Sequence, residues 1–88
     1  MRIDKYLKVA RILKKRRVVA KELAENDRLF VNGRHAKAST EIKAGDLVKI
    51  VFGHREIEIR ILDVKEQVSK QEALSLYEVI EEKKILEV

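Results

Sequence analysis

Residues 1–17 read Met-Arg-Ile-Asp-Lys-Tyr-Leu-Lys-Val-Ala-Arg-Ile-Leu-Lys-Lys-Arg-Arg, and the fold turns on how that stretch sorts its side chains. Ile3, Tyr6, Leu7, Ala10 and Leu13 recur at the spacing that lines up side chains on one side of a helix, while Lys5, Lys8, Arg11 and Lys15 fall on another. The stretch predicts a short amphipathic helix with an apolar stripe for a core and a basic face. A second helical pattern follows the Lys14-Lys15-Arg16-Arg17 run, with Val19, Ala20, Leu23 and Ala24 as its inward stripe. Asn26-Asp27 closes it, because both residue types tolerate the left-handed backbone that ends helices.

From Arg28 onward the period changes. Leu29-Phe30-Val31, Asn32-Gly33 and Arg34-His35-Ala36 read as a tight hairpin, since Asn-Gly suits the type I′ turn that matches strand twist. Ala44-Gly45-Asp46 signals another turn, Leu47 to Phe52 an apolar strand, and Gly53-His54 a further turn. Ile57, Ile59 and Ile61 alternate with Glu56, Glu58 and Arg60, as a half-buried strand does. Ala73, Leu76, Tyr77 and Ile80 return to helical spacing and predict a closing helix, with Glu72 early and Lys83-Lys84 late as the helix dipole prefers. The expected architecture is α+β: two N-terminal helices on a small, mainly antiparallel sheet, with a C-terminal helix. Leu7, Leu23, Phe30, Ile50 and Ile59 are the expected core.

Charge is divided as unevenly as hydrophobicity. Between Met1 and Lys37 twelve Lys/Arg stand against four acids, a net +8; the rest of the chain is −3, which recovers the overall +5. Eight positive charges crowded into so short a segment repel one another, and a polyanion relieves that repulsion through phosphate contact and counterion release. A solvated basic surface is the plainer reading of the same charges. Arg11, Lys14, Lys15, Arg16, Arg17 and Lys21 cluster where the first helix meets the second, and backbone amides opening the second helix would add partial positive charge there. Arginine suits this task because its planar fork holds phosphate bidentately and can stack on bases.

Other chemistries fit poorly. With 88 residues the chain makes one domain with a modest core, and without cysteine it can form neither disulfides nor a cysteine-based zinc site. His35 and His54 sit beside separate turns with no ligand spacing, so no metal or cofactor is expected. Ser39, Ser69 and Ser75 lack a nucleophile context, and Glu56 and Glu58 look like solvated strand residues, so no enzyme is expected. No apolar stretch reaches the length of a membrane span, and the first helix needs its apolar stripe for the core, which argues against lying on a membrane. The expectation is a cytoplasmic monomer.

Met1 to Leu7, Arg11 to Arg16, Ala20, Leu23, Val31-Asn32-Gly33, Ala36-Lys37 and Gly45-Asp46, all in order, resemble the RNA-binding domain named after small-subunit ribosomal protein S4, the αL-motif fold. One departure is Asp27, where the pattern usually carries glycine. No catalytic domain is expected to follow, and Glu72-Ala73-Leu74-Ser75-Leu76-Tyr77-Glu78 is similar to the C-terminal helix of the heat-shock protein fifteen family; the length and the Lys14-Lys15-Arg16-Arg17 run look most like its ribosome-quality-control branch. The resemblance implies an S4-type domain over 1–66 and a helical extension over 67–88 packed on the same body. It also implies binding to rRNA and tRNA on large ribosomal subunits obstructed by nascent peptidyl-tRNA, in support of C-terminal alanine tailing by an RqcH-like factor on the same particle. Arg2, Lys5 and Arg16 occupy the family's RNA-facing positions. With Lys8, Arg11, Lys14, Lys15, Arg17, Lys21, Asn32 and Lys37 they form the candidate RNA-binding set. A general RNA chaperone, or a basic module docking an acidic protein, would use the same face.

Overall fold

The computed structural model describes residues 1–12, 17–52 and 55–84. Helices α1 (Ile3–Val9) and α2 (Arg17–Glu25) precede strands β1 (Leu29–Val31), β2 (Arg34–His35), β3 (Leu47–Phe52) and β4 (Arg55–Ile61); a short helix α3 (Lys70–Ala73) leads into β5 (Tyr77–Lys84). The strands form one antiparallel sheet in the order β2-β1-β3-β4-β5. The α+β class and the antiparallel sheet are as expected. Among the described residues no helix is long and apolar enough to cross a membrane.

The stripe expected for α1 holds from Ile3 to Ala10; Leu13 lies outside the described residues. Ile3, Tyr6 and Leu7 are completely buried and Ala10 nearly so, packed with Leu29, Val48, Ile50, Ile59, Ile61 and Leu76 from the sheet side. Leu23 carries α2 into the same core. Tyr6 is buried with its hydroxyl donating to the Leu76 carbonyl at 2.7 Å. Burial, with Tyr77 and Asp63 nearby, pushes that hydroxyl well above the ordinary tyrosine range.

Both N-terminal helices end in the same way, and neither uses glycine. Beyond α1, Arg11 N–H donates to the Lys8 carbonyl (3.1 Å) and Ile12 N–H to that of Leu7 (3.0 Å), with Arg11 at φ 59°. Beyond α2, Asp27 N–H donates to Ala24 (3.3 Å) and Arg28 N–H to Leu23 (2.7 Å), with Asp27 at φ 56°. These are two Schellman closures whose left-handed residue is charged. A non-glycine residue there costs about 1–2 kcal/mol, less for Asp, and glycine's extra unfolded-state freedom returns part of any gain. Asp27→Gly is therefore expected to stabilise the fold by about 0.5 kcal/mol. Urea denaturation checks this, and an unchanged or lowered midpoint would mean that Asp27 is relaxed where it stands.

The Asn-Gly hairpin also forms, with Asn32 at φ 52° and Gly33 at φ 81°, both positive as a type I′ turn requires. Two readings need correction. Residues 77–84 are strand β5, hydrogen-bonded along β4, so the predicted C-terminal helix shrinks to the single turn of α3, capped by the Ser69 hydroxyl. Ala73, Leu76 and Tyr77 do face inward, but β4 offers an open edge, and Val79 and Ile80 are β-branched residues suited to it. An extra residue at Ile80 makes a bulge opposite Glu58/Ile59, which leaves both Val79 and Ile80 about half exposed. Phe30, expected in the core, is only half-buried: its ring lies against His35 at 4.8 Å, with the Lys49 ammonium 5.9 Å from its centroid.

Candidate nucleic-acid interface

The candidate basic residues fall into two described groups. Arg2, Lys21 and Lys37 line one hollow of about 560 Å³ between α2 and the segment after β2, with Ala24, Glu25 and Ser39. Lys5, Lys8 and Arg11 line another beside α1, of about 400 Å³, facing Glu66, Gln67 and Val68. Arg2 and Lys37 lie thirty-five positions apart in sequence; they meet because the chain's start is stitched to the 38–42 segment. Ile3 N–H donates to the Thr40 carbonyl (2.8 Å), Asp4 N–H to Ala38 (3.1 Å), and Ile42 N–H to Met1 (2.9 Å). Those bonds also occupy the first amides of α1. Lys14, Lys15 and Arg16 lie outside the described residues; Arg17 opens α2. The expected phosphate site at the start of the second helix falls at that same gap.

Several of these cations already hold a carboxylate. Arg2 Nη2 donates to Asp4 Oδ2 at 3.1 Å, and Asp4, nearly buried, also accepts from Lys5 N–H at 2.7 Å. Lys5 Nζ is paired with Glu66, and Lys21 Nζ lies 3.9 Å from Glu25 Oε1. No described carboxylate comes within ion-pair distance of Lys8, Arg11 or Lys37. Exposed pairs contribute little energy, so Glu25 and Glu66 orient the cations more than they neutralise them, and a phosphate can displace them, whereas the buried Asp4 is held in place by the Lys5 N–H. Sequence spacing gave no sign of the Lys5–Glu66 partnership, which spans sixty-one positions.

That pair makes a direct prediction. The hydrogen bond and charge of Lys5 hold the Glu66 carboxyl below the usual carboxylate range, so the pair persists as pH falls until that lowered pKa is crossed. Glu66→Gln is expected to raise RNA affinity up to about fivefold at low salt, with the gain fading as salt rises. Equal affinity for both proteins at low salt would show that RNA does not compete for Lys5.

Asn32 has a structural task as well. Its amide donates to Asp46 Oδ1 (3.2 Å) and its carbonyl oxygen accepts from Leu47 N–H (2.9 Å), while Asp46 Oδ2 accepts from Lys43 N–H (2.9 Å). The side chain ties the hairpin turn to the start of β3. His35 is exposed, as expected, with Nδ1 3.4 Å from Asp27 Oδ1; His54 lies outside the described residues. Among the described residues no three His, Cys, Asp or Glu converge to hold a metal.

A basic-faced first helix and a second helix, set on an antiparallel sheet with an Asn-Gly hairpin, are the build of the S4 domain, an RNA-binding module, whose family model matches residues 1–48. A protein of Streptococcus pneumoniae called RQC P-site tRNA stabilizing factor is 47% identical over 99% of this chain and 98% of its own length. One of the same description from Halalkalibacterium halodurans is 51% identical over 97% and 96%. The trimeric structure of Vibrio cholerae heat shock protein 15 superposes with a TM-score of 0.79 at 32% identity, covering 90% of this chain and 80% of that one. The chain belongs to the S4-domain family of the RQC P-site tRNA stabilizing factors.

Proposed function

We propose that this protein is a non-enzymatic ribosome-quality-control factor. It binds large ribosomal subunits obstructed by nascent peptidyl-tRNA, contacts both rRNA and tRNA, and supports C-terminal alanine tailing by an RqcH-like factor on the same particle. The observation that carries this reading is near-full-length identity to proteins described as stabilising P-site tRNA in that process. The physical arrangement supports it: a small body with one basic hollow beside α1 and another between α2 and the segment after β2 can bridge two RNAs by shape and phosphate contact without reading sequence. Arg2, Lys5, Lys8, Arg11, Lys14, Lys15, Arg16, Arg17, Lys21 and Lys37 supply the charge, and Asn32 holds the hairpin that carries Lys37. It works as a cytoplasmic, ribosome-associated monomer.

Density-gradient sedimentation tests this. The protein should travel with large subunits that carry peptidyl-tRNA in preference to empty subunits or whole ribosomes, and ribonuclease should release it. Arg16→Ala should leave melting unchanged and weaken that association by about 1.5–3 kcal/mol if a charge-assisted bond to phosphate is lost. Arg16→Lys should recover only part, because lysine lacks the bidentate fork. Association that survives ribonuclease would instead favour an acidic protein partner, and indifference to tRNA loading would favour a general RNA chaperone.

A further inference from the structure

Where the end of α1 meets α3 and the start of β5 lies a groove, larger than the Arg2–Lys21–Lys37 hollow, that the RNA-facing positions leave unexplained. It holds about 690 Å³, within the range of sites that enclose small molecules. Lys8, Arg11 and Lys70 stand around an apolar wall of Ala73, Leu74 and Tyr77. None of its described lining residues is acidic, although the chain carries fifteen acids and elsewhere pairs Arg2, Lys5 and Lys21 with them. Leu74, on the turn after α3, is 71% exposed, the most exposed large apolar side chain among the described residues. A leucine left in water beside three cations is matched by a ligand with an apolar face and a negative charge. Lys8 and Arg11 also line the adjoining hollow beside Lys5, so the groove continues the basic surface along α1.

We infer that this groove is a second RNA subsite that takes one unpaired nucleotide, its base against Leu74 and Tyr77 and its phosphates on Lys8, Arg11 and Lys70. The inference rests on the RNA-binding reading above. An unpaired nucleotide is required because a duplex keeps its base faces stacked, whereas a flipped or single-stranded base offers one to an apolar wall. Lys70 and Leu74 belong to the segment beyond the matched S4 region, so the subsite joins that segment to the S4 helices in one binding surface.

Amide NMR of the whole chain tests it with two probes, hexauridylate and a blunt RNA hairpin. Hexauridylate should shift the amides of Arg11, Lys70, Leu74 and Tyr77. Leu74→Glu should weaken it at least tenfold while hairpin binding is unchanged, and the spectrum itself reports whether the variant is folded. Lys70→Glu, on exposed α3, should weaken it likewise and guards against a local rearrangement at Leu74. Shifts confined to Arg2, Lys21 and Lys37, or wild-type hexauridylate binding by both variants, would overturn the subsite and leave the proposed function standing. Polyglutamate occupying the groove where hexauridylate does not would overturn it in favour of an acidic protein. Failure of both RNAs to bind would overturn the subsite together with the RNA-binding reading.

Discussion

A fourfold rise in salt should weaken RNA binding by roughly a hundredfold or more. Each neutralised phosphate contributes a slope of about −0.7 to −0.9 to log affinity against log salt in model nucleic acids. Five contacts then give a slope of about −3.5 to −4.5, which a fourfold step converts to roughly 10²-fold or more. Five is a modest count: Arg2, Lys21 and Lys37 share one hollow and Lys5, Lys8 and Arg11 another. The exposed internal pairs soften the slope only slightly, because Glu25 and Glu66 are screened by the same salt. Titrations at several salt concentrations measure it, and a flat line between low and physiological salt would sink the electrostatic account.

Leu7→Ala should cost roughly 2–5 kcal/mol of folding stability, against about 5–15 kcal/mol for a typical domain. Leu7 is completely buried where α1 meets the sheet, and its carbonyl also closes the helix by accepting from Ile12 N–H at 3.0 Å. The truncation removes apolar contact and leaves a cavity that the rigid sheet fills poorly. RNA binding should fall only as the folded fraction falls, since Leu7 contributes nothing to the basic surface. Urea denaturation followed by circular dichroism gives the first number, and binding at low temperature separates the second. A wild-type midpoint would mean that α1 is held by something other than its apolar stripe.

Much of this molecule can be read in its residues because the relevant forces are local. The stripe Ile3, Tyr6, Leu7, Ala10 needs only helical periodicity, and the hairpin needs only the positive φ that Asn32 and Gly33 accept. Residues 70–84 were harder, because Ala73, Leu76 and Tyr77 satisfy helical spacing while Tyr77-Glu78-Val79 equally suits a strand. The choice between them is made by β4, whose register pairs Ile61 with Tyr77 and Ile59 with Val79, and no local signal carries that information. Phe30 was misjudged for a related reason. β1 lies between β2 and β3, yet its three residues leave Phe30 beside His35 and Lys49 and only partly covered. The basic face could be named from charge alone. Its internal counter-charges, and the meeting of Arg2 with Lys37, depend on contacts between distant positions.

The hydrogen bond from the Tyr6 hydroxyl to the Leu76 carbonyl spans seventy positions, and it sets an order of events during synthesis. The first helix leaves the ribosome early, yet the residue that seats its buried tyrosine is made seventy positions later. Until then α1 lacks one wall of its core, and its lysines and arginines have no fixed spacing to offer. A copy of this chain cut short before Leu76 would carry nearly all of the positive charge without the bond that seats Tyr6. A chain that has reached Leu76 can seat Tyr6 and so fix α1 against the sheet.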